Sequence, residues 1–335
     1  MKFKKKSTKK VKTMSLSEII EVLNNFNSFL LTTHINADGD GIGCLLALGS
    51  ALKARGKDVK YFVPGLIPPK FSFLKGFEEL NKNLENVEET EVLVILDTPT
   101  IERIEGFNFD MNKFKKIIRI DHHEGDHTLA DLTYEKPNYP SATCLVYELL
   151  KEANFPIDKD IATDLYLGVL TDTGSFRFNN TQGIAFQISK ELVDLGAQPY
   201  YTARMVYEME TMAHLKLLGE ALLRLEVNNS LGISYITKDD FVKYNATEND
   251  SEGIVDYLRK EKDIEILLFL KELPEGGYKG SLRSKNDANV KKIAEFFGGG
   301  GHRKAAGFTA NLSKEEIIKI VVETIQKEKQ GENVV

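Results

Sequence analysis

The sequence predicts an α/β protein in which a parallel-sheet N-terminal domain is joined by a helical connector to a smaller α/β C-terminal domain. Two observations lead to this prediction. Short runs of Val, Ile and Leu alternate with amphipathic stretches of helical period through the first half, which is typical of parallel strands and crossover helices. The 335 residues also exceed the roughly 250 to 300 residues at which single hydrophobic cores stop growing.

Apolar runs in the first half predict the strands of the N-terminal sheet. They lie at 29–33, 59–63, 92–96 and 117–120. The third reads VLVIL, and such continuous apolar runs are typical of strands that are buried on both faces of a sheet. Apolar residues at spacings of three and four predict helices over 41–55, 142–152, 161–170 and 184–195. Ser141 precedes the second of these helices and is predicted to cap it.

The second half predicts the connector and a further compact unit. Helical periodicity over 199–224 predicts the connector. The unit that follows is predicted to contain strands at 233–237, 264–270, 278–283 and near Phe308, helices at 290–297 and from Lys314, and a glycine run at 298–301. The predicted boundaries are a basic disordered tail at 1–16, the N-terminal domain at 17–198, the connector at 199–224 and the C-terminal domain at 225–335.

Charge and cysteine content limit the compartment and the partners. The first twelve residues hold seven lysines and no apolar segment, so they do not resemble a secretory signal and are expected to solubilise the chain, with attraction of an anionic substrate as the alternative. Two cysteines, Cys44 and Cys144, and no stretch of about 20 apolar residues predict a cytoplasmic protein without a membrane partner. Without the tail lysines, 37 basic residues face 50 acidic ones, which disfavours long duplex nucleic acid.

Carboxylates and imidazoles follow the predicted strands of the first half. They are His34, Asp38 and Asp40 after the first run, Asp97 after VLVIL, Asp121, His122 and His123 after KIIRI, and Asp172 after the apolar segment LYLGVL. Ligand sites in open parallel sheets lie beyond the carboxyl ends of the strands, so these side chains are expected to converge. Taken singly, each has an ordinary alternative, such as an aspartate that caps a helix. Their joint occurrence after three strands favours a metal site.

The carboxylates and imidazoles indicate how many metal ions bind and of which kind. Carboxylates a few ångströms apart cannot all stay ionised without a cation. Four aspartates match the charge of two divalent ions, and a shell of oxygen with imidazole suits Mn²⁺, with Mg²⁺ or Co²⁺ as substitutes. Two such ions can activate a bridging water and hold phosphoryl oxygens. The predicted chemistry is therefore hydrolysis of a phosphate ester.

These residues also carry a family resemblance that covers about 25–329. The motifs are His34-x-x-x-Asp38-x-Asp40, Asp97, Asp121-His122-His123 and Gly168-Val-Leu-Thr-Asp172-Thr-Gly174. In order and approximate spacing they resemble the four signature motifs of the DHH phosphoesterases. The later segment Gly298-Gly-Gly-Gly-His302-Arg-Lys-Ala-Ala-Gly307-Phe is similar to the glycine-rich element of the DHH-associated C-terminal domain.

The resemblance implies a role for each motif residue. The first manganese is expected on His34 and Asp38, the second on Asp40, His122 and Asp172, and Asp97 is expected to bridge both. His123 is expected to face the scissile phosphate, where it would stabilise developing negative charge. Asp121 is expected to orient a neighbouring imidazole instead of binding metal.

The C-terminal domain is expected to hold the substrate. Gly299, Gly300 and Gly301, followed by His302 and Arg303, predict a cradle of backbone N–H groups for a phosphate or nucleotide, with a flexible linker as the alternative. Arg283 and Ser284 end a predicted strand, and Arg283 could bind a terminal phosphate in bidentate fashion, with a surface arginine as the alternative. The resemblance places the active cleft between the two domains.

Three further positions are weaker candidates. Arg177 could contact a phosphate while Phe176 and Phe178 stack on a base; strand or core packing explains the aromatic pair equally well. His127 and His214 are isolated and are predicted to be structural.

The expected substrates follow from the family. The chain resembles the nano-RNase/pAp phosphatase group, which implies manganese-dependent hydrolysis of single-stranded RNAs of about two to five nucleotides to 5′-mononucleotides and of 3′-phosphoadenosine 5′-phosphate (pAp) to AMP and phosphate. The alternatives are a phosphodiesterase of linear or cyclic dinucleotides (pApA, cyclic di-AMP), an inorganic pyrophosphatase and a non-catalytic nucleotide sensor. Apolar helices in the first domain make a homodimer a further expectation.

Overall fold

The computed structural model describes residues 16–82, 87–104, 106, 109–125, 130–286 and 288–330. The chain divides into two compact units, Met1–Met209 and Glu210–Val335. The predicted tail lies outside the described residues except for Leu16, which begins a helix. No helix in these ranges is both long enough and apolar enough to cross a membrane.

The first unit is built on a parallel sheet, as predicted, with a fifth strand in addition to the four that the sequence indicated. Its strands are β1 (Ser28–Thr32), β2 (Asp58–Phe62), β3 (Val92–Leu96), β4 (Lys116–Asp121) and β5 (Leu132–Glu135). Their order is β2-β1-β3-β4-β5, and every neighbouring pair is parallel. All five residues of β3 are fully buried, because helices cover both faces of such a sheet. The carboxyl ends of β1, β3 and β4 are neighbours, so the loops that follow them meet at one edge.

Helices surround this sheet. They are α1 (Leu16–Asn25), α2 (Gly39–Ala54), α3 (Ala142–Glu152), α4 (Lys159–Asp172), α5 (Gly183–Asp194) and α6 (Pro199–Tyr207). Ser141 caps α3, since its hydroxyl accepts a hydrogen bond from the backbone N–H of Cys144 at 3.3 Å. Helix α2 packs against α3 and α4 and is buried on nearly every side. Cys44 and Cys144 are buried free thiols.

The second unit contains a six-stranded mixed sheet. Its strands are β6 (Glu226–Asn228), β7 (Leu231–Ile236), β8 (Ile266–Glu272), β9 (Tyr278–Ser284), β10 (Gly300–His302) and β11 (Ala305–Ala310). Its helices are α7 (Met212–Leu223), α8 (Lys238–Tyr244), α9 (Ile254–Leu258), α10 (Val290–Phe296) and α11 (Lys314–Gln330). The order is β10-β11-β9-β8-β7-β6, and only β7 and β8 are parallel.

Two hydrophobic clusters stabilise this second sheet. Leu268 and Leu270 of β8 point into a cluster that includes residues of α10 and α11. Leu267 and Phe269 of the same strand belong to a cluster with residues of α7 and α9. This alternation is the period of two that a strand covered on both faces must have.

The segment predicted as a connector contains two helices, α6 in the first unit and α7 in the second. The glycine run differs from the predicted loop, because Gly300 and Gly301 belong to β10 and pair with β11. The steric reason is visible at Gly299, where a Cβ would overlap the carbonyl oxygen of Gly307. Glycine here permits two backbones to approach closely.

Candidate metal centre

Asp97 lies at the centre of the converging side chains. It follows β3 directly and has a φ of 49°, a left-handed conformation that is costly for most residues other than glycine and is concentrated at functional sites. Its carboxylate Oδ2 lies 3.4 Å from His34 Nε2, and its Oδ1 lies 3.7 Å from His122 Nε2. Asp97 is 2% exposed, so its charge requires a compensating partner.

One group of ligand atoms comes from His34, Asp38 and Asp97, and these atoms all lie within 4.8 Å of one another. His34 Nδ1 lies 2.8 Å from the carbonyl oxygen of Ile35 and 3.2 Å from Arg103 Nη2. Nε2 of the same ring is directed at the two carboxylates, the usual arrangement of a metal-binding histidine. Asp38 caps α2, and its Oδ1 accepts hydrogen bonds from the N–H groups of Asp40 and Gly41.

A second group comes from Asp40, His122 and Asp172, whose ligand atoms also lie within 4.8 Å of one another. His122 Nε2 is 3.6 Å from Asp172 Oδ2 and 3.9 Å from Asp40 Oδ2. His122 Nδ1 is 3.0 Å from the carbonyl oxygen of Tyr139, which fixes the ring. Asn180 holds Asp172 in place by donating from Nδ2 to Oδ2 at 3.2 Å.

The amino-terminal turn of α3 holds Asp40. The N–H of Ala142 donates to Oδ2 at 2.6 Å, and the N–H of Thr143 donates to Oδ1 at 2.9 Å. These bonds join residues about one hundred positions apart in the chain. The start of a helix favours a negative charge, because its first N–H groups lack partners within the helix.

Charge repulsion in this cluster is visible in the pKa values. Burial, followed by the charges of Asp97 and Asp38, raises the pKa of Asp40 well above its usual value. Burial, followed by the charge of Asp40, raises the pKa of Asp172 to about 8. Like charges in a dry site cannot all stay ionised without a cation.

Two buried atoms that lack a hydrogen-bond partner indicate whether these residues suit a metal ion. Asp97 Oδ1 and His122 Nε2 are buried and have no hydrogen-bond partner among the described residues. Buried polar atoms without partners are rare and need an explanation such as an ion. Carboxylate oxygen and imidazole nitrogen are metal ligands, so these residues could form a metal site.

Asp121 and His123 form a third such group with Asp97 and His122, again with ligand atoms within 4.8 Å of one another. Asp121 is fully buried, and its Oδ1 accepts hydrogen bonds from Nδ1 and from the backbone N–H of His123, both at 2.9 Å. Its Oδ2 accepts from Arg119 Nη2 at 2.7 Å. Asp121 is therefore already bonded through both oxygens. The half-exposed ring of His123 also has Nδ1 3.4 Å from Asp97 Oδ1, and the hydrogen bond to Asp121, followed by the nearby Asp97 carboxylate, raises the pKa of His123 to about 10.

Comparison with known proteins agrees with this geometry. Residues 28–169 match the DHH family, N-terminal domain, and residues 228–327 match the DHHA1 domain. Over 303 residues, 89% of each chain, the sequence is 30% identical to the bifunctional oligoribonuclease and PAP phosphatase NrnA of Thermus thermophilus. The chain belongs to the DHH family. The predicted family, and with it the class of hydrolases acting on phosphate esters, is confirmed.

Two further relatives extend the match of this DHH protein. It is 25% identical over 318 residues to the Bacillus subtilis bifunctional oligoribonuclease and PAP phosphatase NrnA, covering 93% of this chain and 99% of the relative. Its fold is similar to the crystal structure of an exopolyphosphatase-related protein from Bacteroides fragilis, with a TM-score of 0.86, 27% identity and coverage of 94% and 96% of the two chains.

The segment after α4 is a turn, so the strand alternative for Phe176 and Phe178 does not hold. Gly174, Ser175 and Phe176 all have positive φ values, of 55°, 60° and 62°. Phe176 stacks on Phe186 at 5.1 Å between ring centroids and packs against the core. Phe178 is 51% exposed. Arg177 is also exposed, and its Nε donates to the Gly174 carbonyl at 2.6 Å.

In the DHHA1 region, Arg283 and Ser284 lie on opposite faces of β9. Arg283 lines a cavity of about 210 Å³, and its Nε lies 3.4 Å from Asp256 Oδ1. Ser284 is 1% exposed, and its hydroxyl donates to the carbonyl of Ala288 at 2.9 Å. Successive residues of a strand point to opposite faces, so Ser284 points into the interior when Arg283 points into the cavity. The prediction that Ser284 binds substrate is therefore wrong, and its role is structural. His302 ends β10, Arg303 follows it, and both are exposed.

Sequence reasoning missed the basic residues beside Arg283. Lys271, Lys279 and Ser281 line the same cavity. The two lysines are register partners across β8 and β9. The signal was present in the sequence, since Lys279, Ser281 and Arg283 alternate at the period of two that places them on one face of a strand. His214 is buried, and its Nδ1 contacts the Asp250 carbonyl oxygen. His127 lies outside the described residues.

Proposed function

We propose that this DHH-family protein hydrolyses very short RNA oligonucleotides to 5′-mononucleotides and pAp to AMP and phosphate, with two divalent metal ions. The observation that carries the proposal is the position of Asp97, whose two oxygens face His34 on one side and His122 on the other. The relatives support the coarser class, a DHH phosphoesterase acting on nucleotides or oligoribonucleotides.

The two groups of ligand atoms define the proposed metal sites. His34 and Asp38 would hold one ion, Asp40, His122 and Asp172 the other, and Asp97 would belong to both. Mixed oxygen and imidazole ligands suit Mn²⁺, with Mg²⁺ or Co²⁺ as substitutes. When bound, such a pair lowers the pKa of a water and neutralises charge on the phosphoryl oxygens.

His123 is the proposed catalytic residue outside the metal ligands. Its hydrogen bond to Asp121 orients the ring, and the same carboxylate raises the pKa of His123 and so favours the protonated imidazole. A protonated imidazole donates a hydrogen bond to a phosphoryl oxygen and stabilises the charge that develops as the ester bond breaks. Asp121 contributes by holding this ring, which is the role that the resemblance implied.

The proposed substrate contacts in the DHHA1 region are cationic and backbone groups. Arg283 offers a planar guanidinium that suits a phosphate. Lys271 and Lys279 line the same cavity, which also holds the carboxylates Glu252 and Asp256. Gly299, Gly300 and Gly301, with His302 and Arg303, remain the proposed contacts to the nucleotide. Arg177 is the proposed phosphate contact in the first unit.

The test is a product time course with a five-nucleotide RNA, pApA, pAp and pyrophosphate in parallel, with Mn²⁺ and with EDTA. We expect mononucleotides from the RNA, AMP and phosphate from pAp, and no turnover in EDTA or in Asp97→Asn. Asp194→Asn is the matched control, because Asp194 lies on the exposed face of α5, where it pairs with Lys190. The proposal is wrong if pyrophosphate is the best substrate by a wide margin, or if nucleotide binds without turnover.

A further inference from the structure

Arg119 is a charged residue in the middle of a buried strand. It lies on β4 between two isoleucines, and its side chain is fully buried. Burying a guanidinium costs several kcal/mol even after the surroundings relax. An apolar residue of similar volume would satisfy the core without this cost, so the charge requires an explanation in terms of what it contacts.

The guanidinium forms hydrogen bonds with groups at the carboxyl ends of three adjacent strands. Its Nε donates to the carbonyl of Thr98 at 2.9 Å, in the loop after β3. Its Nη1 donates to Glu135 at the end of β5. Its Nη2 donates to Asp121 Oδ2 at 2.7 Å and to the carbonyl of His123 at 3.1 Å, in the loop after β4. Every one of these contacts lies at the edge where the metal groups are found.

We infer that Arg119 is a positioning residue that holds His123 toward the substrate, an inference that rests on the proposed function. Arg119 binds one oxygen of Asp121, and the other oxygen of Asp121 binds both Nδ1 and the N–H of His123. It also binds the His123 carbonyl directly. The side chain and the backbone of His123 are therefore both fixed through the same guanidinium.

The contacts require arginine rather than lysine. A guanidinium presents five N–H groups in a rigid plane, whereas an ammonium is a compact charge on a flexible stem. Lysine at this position would keep the positive charge between Asp121 and Glu135, but one ammonium cannot reach both carboxylates and two carbonyl groups at once. Arg119→Lys therefore changes the geometry while it preserves the charge.

A double-mutant cycle separates positioning from general stability. We expect Arg119→Lys to lower kcat for pAp by about 10- to 100-fold, the usual effect of losing a partner that orients an active-site group, with KM changed less than about threefold. In a His123→Ala background the same substitution is expected to change kcat by less than about threefold, because the two residues act as one unit. An equal loss of kcat in both backgrounds would show that Arg119 does not act through His123.

Two controls keep the result interpretable. Arg55→Lys replaces an arginine of the same unit that bonds the Asn154 carbonyl at the surface, and it is expected to leave kcat unchanged. Manganese affinity of Arg119→Lys is expected to stay within about threefold of the wild type, because Arg119 contacts none of the proposed ligands. A loss of manganese affinity that matches the loss of kcat would overturn the inference in favour of an effect through the Asp97 loop.

Glu135→Gln serves if Arg119→Lys does not fold. It removes one charged partner of the guanidinium and leaves Arg119 in place. We expect a smaller fall in kcat, again absent in the His123→Ala background. A fall of equal size in that background would count against the inference.

A crystal structure of Arg119→Lys provides a readout that does not depend on substrate. We expect the bond between His123 Nδ1 and Asp121 Oδ1 to be lost. If the wild type hydrolyses none of the four substrates while His123 moves in the variant, the proposed function fails and the positioning of His123 stands. If the wild type turns over pAp while His123 and kcat are unchanged in the variant, the inference about Arg119 fails.

Discussion

Asp97 Oδ1 lies 3.7 Å from His122 Nε2, and neither atom has a hydrogen-bond partner within the described part of the chain. The two buried polar atoms face each other without a hydrogen bond, while Nδ1 of the His122 ring contacts the Tyr139 carbonyl oxygen. A cation placed between them would provide both atoms with a partner. It would also connect the turn after β3, which holds Asp97, to the loop after β4, which holds His122.

Asp97→Asn is expected to abolish the metal response while leaving the fold intact. Asparagine tolerates the left-handed backbone that Asp97 adopts, and loss of one negative charge relieves repulsion in the metal-free cluster. The melting temperature without metal is therefore expected to equal or exceed that of the wild type, and the increase on adding Mn²⁺ is expected to disappear. Thermal unfolding with and without Mn²⁺ measures both. An Mn²⁺-induced increase as large as in the wild type would contradict the assignment of Asp97 as a shared ligand.

Gly125→Ala is expected to destabilise the first unit and to reduce kcat. A Cβ at this position would overlap the carbonyl oxygen of Pro99 and Nη2 of Arg119, and the hydrogen bonds of Arg119 hold its guanidinium in place. Overpacking of this kind costs about 1 to 3 kcal/mol in the free energy of unfolding, which urea denaturation measures. Gly183→Ala is the control, because its Cβ would meet no atom within 4 Å. Equal stability of the two variants would show that the surroundings of Gly125 accommodate a Cβ at little cost in the free energy of unfolding.

Arg283→Gln is expected to weaken substrate binding more than the chemical step. If Arg283 grips a phosphate remote from the bond that breaks, its loss raises KM for pAp by about tenfold and leaves kcat nearly unchanged. Steady-state kinetics test this split. Arg259→Gln is the matched control, since Arg259 follows the C-terminal end of α9 and does not line the cavity beside Arg283. A fall in kcat at unchanged KM would place Arg283 at the reacting group instead.

Asp240→Asn is expected to destabilise the second unit in a pH-dependent way. Burial opposes ionisation of Asp240, but hydrogen bonds from Arg224 and Thr237 outweigh it and lower the pKa to about 2. A lowered pKa contributes stability above the unfolded value of about 4, and this stability is lost as the pH falls through about 2. The variant is expected to lose about 1 to 3 kcal/mol in the free energy of unfolding at pH 7 and to approach the wild type near pH 2.

Chemical denaturation across this pH range provides the measurement. The control is Asp239→Asn, the exposed neighbour of Asp240 in the first turn of α8, which is expected to change stability little at any pH. A difference between Asp240→Asn and the wild type that is constant from pH 7 to pH 2 would show that charge on Asp240 contributes nothing.

Elements with a strong local pattern could be predicted from the sequence. The bounds of β3 and α3 match the prediction because VLVIL is a continuous apolar run and because Ser141 caps a clear helical period. Strand β5 was missed because its four residues, LTYE, form no apolar run, and its pairing depends on β4. Strand β10 was missed because two of its three residues are glycines, which favour strands only where another backbone must approach closely.

The sequence by itself determined the parallel sheet, the order of the motifs and the edge at which acidic and imidazole groups collect, because apolar runs and the ends of parallel strands are local features. Only the tertiary structure decided which hydrogen-bond partners each of these groups has. It joined Asp40 to the start of α3, gave both oxygens of Asp121 to His123 and Arg119, and turned Ser284 into the protein interior. Such choices depend on hydrogen-bond partners brought together by packing, often from distant parts of the chain, and spacing along the sequence does not encode them.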